Sequence, residues 1–192
     1  MSNRSWRPSC EEVEQELRRV RHRRRYRMTL NSTMHYMLLA AALAVLTATL
    51  WLPVLRIYGS SMSPTLNKDE LVISVKNADF QTGDVCAFYY NNRLLVKRVI
   101  ANPGDWVNID EAGNVYVNGE PLEEPYVTEK ALGQCNLELP YQVPDERYFV
   151  MGDDRAVSLD SRNTAIGCVS QEQILGKIIF RIWPLKEIGK IR

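Results

Sequence analysis

The stretch from Tyr36 to Leu55, YMLLAAALAVLTATLWLPVL, runs for twenty residues without a charged side chain. As an α-helix it would be about 30 Å long, which matches the hydrocarbon thickness of a bilayer. A buried helix of a soluble core is one alternative, but such a helix normally carries a polar face. A cleaved export signal is another, but its apolar region would be shorter and followed by a small-residue cleavage site. We therefore predict an uncleaved transmembrane helix over residues 36–55.

The charge of the chain changes sign across this apolar stretch. Residues 1–35 contain nine arginines and four glutamates, whereas the chain from Tyr36 onward has an acidic excess. Basic residues flanking a transmembrane helix mark its cytoplasmic side. The sequence thus predicts a single-pass protein of the cell membrane, with a cytoplasmic N-terminus and residues 56–192 outside. This distribution also argues against a nucleic-acid-binding protein, which would carry a basic patch on its folded domain.

The cytoplasmic segment, residues 1–35, is predicted to form a helix. Ser9 can cap it, and Glu12 follows three residues later in the spacing of a capping box. The arginines after it suit contact with the headgroups of anionic membrane phospholipids. A docking helix for a partner protein or a coiled coil is the alternative, but the apolar positions repeat too few times.

After the apolar stretch the pattern changes to short β-rich runs bounded by Gly, Asn and Asp. The Asn118-Gly119 pair predicts a tight hairpin turn. Residues 134–144 have the composition of an irregular loop. The fold class expected for the outer part is therefore mostly β, in a domain large enough to bury a core. The predicted strand regions are 70–76, 85–90, 94–101, 114–122, 147–151 and 174–183.

The four cysteines do not have the spacing of a metal site. Cys10 falls in the cytoplasmic part, so at most one disulfide is possible among the other three. A Cys135–Cys168 bond is conceivable, but the sequence alone does not decide it. We predict no metal and no cofactor.

The distribution of histidine restricts the chemistry of the outer domain. His22 and His35 are the only histidines, and both precede the apolar stretch. A Ser-His-Asp triad, a Cys-His pair and a zinc site built on histidine are therefore excluded outside. If this domain hydrolyses amides, its general base is a lysine, a carboxylate or a terminal amine.

Three stretches contain candidates for such chemistry. Ser61 lies in a run of small residues and proline, GSSMSPTL, directly after the apolar stretch. Lys97 lies in an apolar strand, where burial would lower its pKa and let the neutral amine activate a hydroxyl. Arg98 is its neighbour, and strand alternation predicts that only one of these two side chains points inward. Ser158, in a loop of alternating acids, arginines and serines, could orient the lysine amine.

Together these stretches resemble the type I signal peptidase family, and the likeness covers most of residues 36–185. Four motifs occur in the family's order behind one N-terminal anchor. They are Ser61–Leu66 (SMSPTL), the strand Gly83–Phe88, the lysine box Lys97–Asp105, and the box Gly152–Arg162 (GDDRAVSLDSR). The resemblance implies an antiparallel β catalytic domain with a small inserted β subdomain, here residues 106–145.

The resemblance also implies roles for the residues of the site. Ser61 would be the nucleophile, Lys97 the general base, and Ser158 the group that orients the lysine. Four charged residues of the last box would support the site without taking part in the chemistry: Asp153, Arg155, Asp160 and Arg162.

An oxyanion hole is implied as well, with the backbone N–H of Ser61 as one donor. In some relatives a hydroxyl two residues earlier is the second donor, but that position is Gly59 here. Ser60 or a water could take its place. The expected substrates are exported preproteins with small residues at −1 and −3. Further residues expected at the substrate-binding surface are Ile57, Tyr58 and Met62.

Two rival interpretations remain open from the sequence. One is a catalytically silent, membrane-tethered β domain that binds exported chains, although an intact Ser61 and Lys97 argue against it. The other is a self-cleaving Ser–Lys protease like the bacterial stress-response repressors. Those proteins are soluble and bind DNA, whereas this chain has an apolar anchor.

Overall fold

The structure is a computed structural model that describes residues 9–76 and 78–191. It divides into two units, Met1–Ala48 and Thr49–Arg192. The described residues of the first unit are helical from Cys10 onward, and the second unit is mostly β, the fold class that the sequence predicts.

A single helix, α1 (Cys10–Trp51), contains residues 10–35 of the predicted basic segment and most of the apolar stretch. The part of that prediction that concerns residues 1–8 lies outside the described residues. Its N-terminus has the predicted capping box. The Ser9 N–H donates to Glu12 Oε2 at 2.9 Å, and the Glu12 N–H donates to Ser9 Oγ at 3.3 Å. In the described part of the chain, α1 is the one helix long and apolar enough to cross a bilayer, judged by length and composition.

The end of α1 corrects the predicted bounds of the apolar helix. The helix ends at Trp51, not at Leu55, and Val54 and Leu55 lie in a strand. Pro53 explains the difference, because proline has no N–H to donate and disfavours helical backbone at the residue before it. The carbonyl of Pro53 instead accepts a hydrogen bond from the Ser74 N–H at 3.0 Å.

Twelve strands and two short 3-10 turns follow α1 in the described residues. The predicted strands 85–90, 147–151 and 174–183 have the bounds expected. Five short strands, at residues 54–56, 106–109, 141–142, 169–170 and 189–190, were not predicted. The strands are β1 (Val54–Arg56), β2 (Leu71–Val75), β3 (Val85–Tyr90), β4 (Arg93–Ala101), β5 (Trp106–Ile109), β6 (Val115–Val117), β7 (Glu120–Pro121), β8 (Tyr141–Gln142), β9 (Arg147–Met151), β10 (Val169–Ser170), β11 (Ile174–Trp183) and β12 (Gly189–Lys190), and the turns are Gln171–Gln173 and Leu185–Glu187.

Eight strands form the main antiparallel sheet, in the order β1-β2-β11-β3-β4-β9-β10, with β12 paired to β11. Strand β4 lies in the interior of this sheet, paired with β3 on one side and β9 on the other. In this register Lys97 faces Cys86 of β3, and Arg98 faces Met151 of β9. Both neighbours of β4 therefore bear on the site described below.

The second sheet is four-stranded, in the order β7-β6-β5-β8, and lies within the range predicted for the insertion. Its β6–β7 hairpin turns at Asn118-Gly119, as predicted. Both residues have positive φ, 54° and 86°. This is the backbone that a two-residue type I′ turn requires and that Asn-Gly favours.

One apolar cluster joins the two sheets. Phe149 of β9 is fully buried in it, and its ring lies 6.3 Å from that of Tyr141 in β8. The second sheet therefore shares its core with the main sheet. The buried members of the cluster are Ile100, Ala101, Val107, Ile109, Val115, Val143, Phe149, Met151 and Cys168.

All four cysteines are free thiols in the structure, so the conceivable Cys135–Cys168 bond is not formed.

Because the two sheets share this cluster, Phe149→Ala is expected to weaken both together. Truncating a fully buried Phe lowers the free energy of unfolding by about 3–5 kcal/mol. Tyr89→Ala, at a side chain that is about half exposed, is the matched control and is expected to cost less than about 1 kcal/mol. Urea titration followed by circular dichroism measures both. Equal losses for the two variants would contradict a shared core at Phe149.

Candidate active site

Ser61 lies in the turn after β1. The turn is closed by two backbone hydrogen bonds, from the Ser63 N–H to the Ser60 carbonyl at 2.9 Å and from the Leu66 N–H to the Met62 carbonyl at 2.8 Å. The Ser61 carbonyl accepts from the Asp154 N–H at 3.1 Å. The turn that carries Ser61 is therefore attached to the loop 152–162, the last of the four sequence motifs.

Lys97 projects from β4 into the protein and is 3% exposed. Its Nζ donates a hydrogen bond to Ser158 Oγ at 2.8 Å. Ser158 Oγ thus lies directly against the lysine amine.

Gly152 brings Ser61 and Ser158 close together. A Cβ at this position would overlap Ser158 Oγ and would lie 2.5 Å from the Ser61 carbonyl oxygen. A side chain here would therefore push the two segments apart. The missing side chain of Gly152 therefore lets the Ser61 backbone lie close to Ser158, the residue that holds the Lys97 amine.

The pKa of Lys97 is lowered from its ordinary 10.5 to about 8, and burial is the main cause. The positive charge of Arg162 lowers it further, whereas the carboxylates of Asp160 and Asp153 act in the opposite direction. A lysine with this pKa is half neutral near pH 8, so a free amine is available to accept a proton.

Arg98 corrects one expectation from the sequence. Strand alternation predicts that only one of Lys97 and Arg98 points inward, but Arg98 is 0% exposed and Lys97 is buried as well. The reason is that both faces of β4 are covered. On the second face, the Arg98 guanidinium binds both Asp153 oxygens at 2.9 and 2.7 Å and lies 3.8 Å from the Tyr126 ring centroid. It also donates to the Gly83 carbonyl at 2.7 Å.

Arg162 and Asp160 form a second buried pair within the loop. Arg162 Nε and Nη2 donate to the two Asp160 oxygens at 2.8 and 2.9 Å. Asp160 Oδ2 also accepts from the Gly152 N–H at 3.0 Å. Burial alone would raise the pKa of Asp160, but the hydrogen bonds and charge of Arg162 outweigh it and hold the pKa below its ordinary value. Asp160 is therefore an anion that fixes Gly152.

Arg155 forms the third buried pair, with Glu124 of the insertion. Its Nη1 donates to Glu124 Oε2 at 3.0 Å, and its Nη2 donates to Glu124 Oε1. Its Nε donates to the Gly152 carbonyl at 3.1 Å. Asp153, Arg155, Asp160 and Arg162 are thus all buried in ion pairs that shape the loop.

No sequence motif includes Glu124 or Tyr126. Both lie in the insertion, about thirty residues from the arginines they contact. Arg98 directly follows Lys97 in the lysine box. Its place in this motif is the one sequence feature that could have indicated a role for Arg98 in the site.

A small open groove of about 40 Å³ lies beside Ser61. Four of the five residues expected at the substrate-binding and oxyanion surface line it, and Ser60 does not. Its other walls come from β1 and the first half of β4. The lining residues are Arg56, Ile57, Tyr58, Gly59, Ser61, Met62, Leu94, Leu95 and Val96.

The backbone around Ser61 leaves a donor free. Among the hydrogen bonds that the described residues form, none uses the N–H or the hydroxyl of Ser61. Gly59, with a φ of 87°, forms the bend before it. Within the same described residues, no group of three or more His, Cys, Asp or Glu side chains could hold a metal ion.

Comparison with known proteins gives a consistent result. The family model described as signal peptidase, peptidase S26, matches residues 30–183. The signal peptidase I of Bacillus amyloliquefaciens is 36% identical over 166 residues, covering 81% of this chain and 89% of that protein. The signal peptidase IB of Staphylococcus aureus is 38% identical over 151 residues, covering 68% of this chain and 78% of that protein.

Among solved structures, a signal peptidase I from Enterococcus faecalis is similar to 52% of this chain and 97% of its own, with 29% identity and a TM-score of 0.43. The sequence matches extend over most of the chain, including the four motifs that surround Ser61 and Lys97. On the family-model and sequence matches, the chain belongs to the peptidase S26 family of signal peptidases.

Proposed function

We propose that this protein is a membrane-bound serine endopeptidase that removes N-terminal signal peptides from exported preproteins. Ser61 is the nucleophile and Lys97 the general base. The observation that carries this proposal is the buried Lys97 amine, held on Ser158 Oγ at 2.8 Å in the loop whose Asp154 N–H binds the Ser61 carbonyl. No histidine follows His35 in the sequence, so the lysine takes the role that histidine has in other serine proteases.

The reaction is acyl transfer through an acyl-enzyme. Neutral Lys97 removes the Ser61 proton as Oγ attacks the scissile carbonyl, and the protonated amine then donates to the leaving amine. Water, deprotonated by the same lysine, hydrolyses the ester and releases the signal peptide. Ser158 accepts a hydrogen bond from Lys97 and so holds the amine in one direction throughout.

The free N–H of Ser61 is the first donor to the oxyanion of the tetrahedral intermediate. One such donor contributes about 3 kcal/mol to transition-state stabilisation. Gly59 offers no side chain for the second, so a hydroxyl of Ser60 or a water takes that position. Asp153, Arg155, Asp160 and Arg162 hold the surrounding backbone through their ion pairs.

The groove beside Ser61 is the binding surface for the extended end of the signal peptide. Apolar walls from Ile57, Met62 and the strand residues 94–96 suit the small side chains expected at −1 and −3 of the substrate. An extended chain in this groove can pair its backbone with an exposed strand edge, while shallow pockets select small residues.

The apolar part of α1 anchors the protein in the cell membrane, with its arginines on the cytoplasmic side against phospholipid headgroups. Residues 56–192 are then extracytoplasmic, where the cleavage sites of exported chains emerge.

Replacing either member of the dyad is expected to abolish preprotein cleavage without unfolding the protein. Ser61→Ala and Lys97→Ala should each lower kcat/KM by about a thousandfold or more, because the nucleophile or its base is lost. Cleavage of a model preprotein by the detergent-solubilised chain, with the cut site read by mass, measures this. Lys186→Ala, at an exposed lysine, is the control and should behave as the parent. A folded Lys97→Ala variant with parental activity would exclude the dyad.

The pH dependence of cleavage is expected to follow Lys97. Since the pKa of Lys97 is about 8 and the neutral amine is the active form, kcat/KM should fall about tenfold per pH unit below that value and level off above it. A pH series from 6 to 10, with circular dichroism to confirm folding at each point, measures the profile. An acid optimum would point to a carboxylate base instead.

A further inference from the structure

We propose that Glu124, in the inserted β subdomain, is a positioning residue for the lysine base. This inference rests on the function proposed above and goes beyond it, because it makes the insertion part of the catalytic machinery. The relevant segment, residues 122–133, follows β7 and is called the strap below. It touches the loop 152–162 at both of its ends.

The first attachment is through Glu124. This carboxylate is 8% exposed, and both of its oxygens bind the Arg155 guanidinium. Its remaining described partner is Tyr126, whose hydroxyl donates to Glu124 Oε1 at 3.3 Å. Arg155 in turn holds the backbone of Gly152, because its Nε donates to the Gly152 carbonyl at 3.1 Å. Glu124 is therefore two contacts from the glycine that lies between Ser61 and Ser158.

The second attachment is through the backbone at the other end of the strap. Arg162 Nη1 donates to the carbonyls of Ala131 at 3.2 Å and Leu132 at 2.8 Å. Its Nη2 donates to the carbonyls of Arg155 at 3.0 Å and Ser158 at 3.4 Å. One guanidinium thus joins the strap to the residue that holds Lys97. A side chain at Gly133 would overlap the Arg155 carbonyl, so the strap lies directly on the loop.

The charged groups facing Lys97 explain what the strap controls. Asp153, Asp160 and Arg162 of the loop act on the amine, and Cys86 faces it from β3. Three of these four groups, and the hydrogen-bond partner Ser158, belong to the loop that the strap holds in place. Without the contact of Glu124, the loop can move away from β4 and admit water to Lys97.

Loss of the contact between Glu124 and Arg155 is expected to raise the pKa of Lys97. Burial is the largest influence that lowers the pKa of Lys97. Hydration of the amine would therefore raise its pKa toward the ordinary value and leave more of it protonated at neutral pH. The groove beside Ser61 is lined by residues outside the strap and the loop 152–162, so substrate binding should change little.

Glu124→Gln tests the proposal, because the amide keeps the shape of the carboxylate but not its charge. We expect kcat at pH 8 to fall between about 10-fold and 100-fold, with KM within about twofold of the parent and the midpoint of the pH profile raised by about one unit. Glu123→Gln, at the exposed neighbouring glutamate, is the matched control and should leave all three unchanged. Glu124→Asp keeps the charge but shortens the side chain, so its kcat and its midpoint should lie between those of the parent and those of Glu124→Gln. The assays use the full chain in detergent micelles with a model preprotein.

A change of fold stability alone would not shift the midpoint, so this readout separates positioning from a merely structural role. If Glu124→Gln lowers the melting temperature but keeps the parental kcat and midpoint, the proposal is wrong. Breaking one buried ion pair leaves an unpaired charge and can prevent folding. The double variant Glu124→Gln, Arg155→Met removes both charges. It should fold and show the same raised midpoint. A folded double variant with the parental midpoint would also overturn the proposal.

A direct titration keeps this inference distinct from the proposed function. NMR of the full chain with ¹³C-labelled lysine side chains follows the protonation of Lys97 without any substrate. A midpoint that rises in Glu124→Gln supports the positioning role even if the parent does not cleave preproteins. An unchanged Lys97 midpoint in a folded Glu124→Gln variant contradicts it even if cleavage by the parent depends on Ser61.

Discussion

The burial of one lysine amine is the constraint on which the rest of the structure depends. A charged ammonium is costly to place in a protein interior, and the protein responds by shifting the pKa of Lys97 to about 8. The amine then needs only a neutral partner, and Ser158 provides one at 2.8 Å. A carboxylate in place of Ser158 would hold the lysine protonated. In the mechanism proposed above, the pairing of lysine with a hydroxyl is therefore what keeps a base available.

Three buried arginines lie near the contact between Lys97 and Ser158, and the charge of each is paired with a carboxylate. Arg98, Arg155 and Arg162 are all buried, and each binds a carboxylate through two nitrogens. Buried ion pairs contribute little net stability, because desolvation offsets most of their attraction. Removing one member of such a pair lowers the stability of the fold, however, because the other charge is left buried without a partner. Such pairs hold the loop 152–162 in a single arrangement, and this arrangement places Ser158 against Lys97.

The sequence predicts the antiparallel β fold and names candidates for the site, and what it misses has identifiable causes. Ser61, Lys97 and Ser158 could be named as candidates because the outer domain lacks histidine and four motifs occur in order. Only one of Lys97 and Arg98 was expected to be buried, because the alternation of side chains along a strand leaves one residue exposed when only one face of the sheet is covered. Glu124 could not be foreseen, because its contact with Arg155 joins residues 31 positions apart that share no local pattern. The predicted helix extends into strand β1, because Val54 and Leu55 continue the apolar composition of the helix.

The proposed dyad requires a covalent bond to Ser61, and trapping that bond is its most direct test. A peptide ester with Ala at −3 and −1 and a good leaving group should acylate the protein faster than water removes the acyl group. Rapid acid quench, proteolysis and mass spectrometry then locate the adduct. The account predicts one acyl group on Ser61, formed more slowly as the pH falls below about 8. Acylation at another residue, or turnover of the ester that persists in Ser61→Ala, would contradict it.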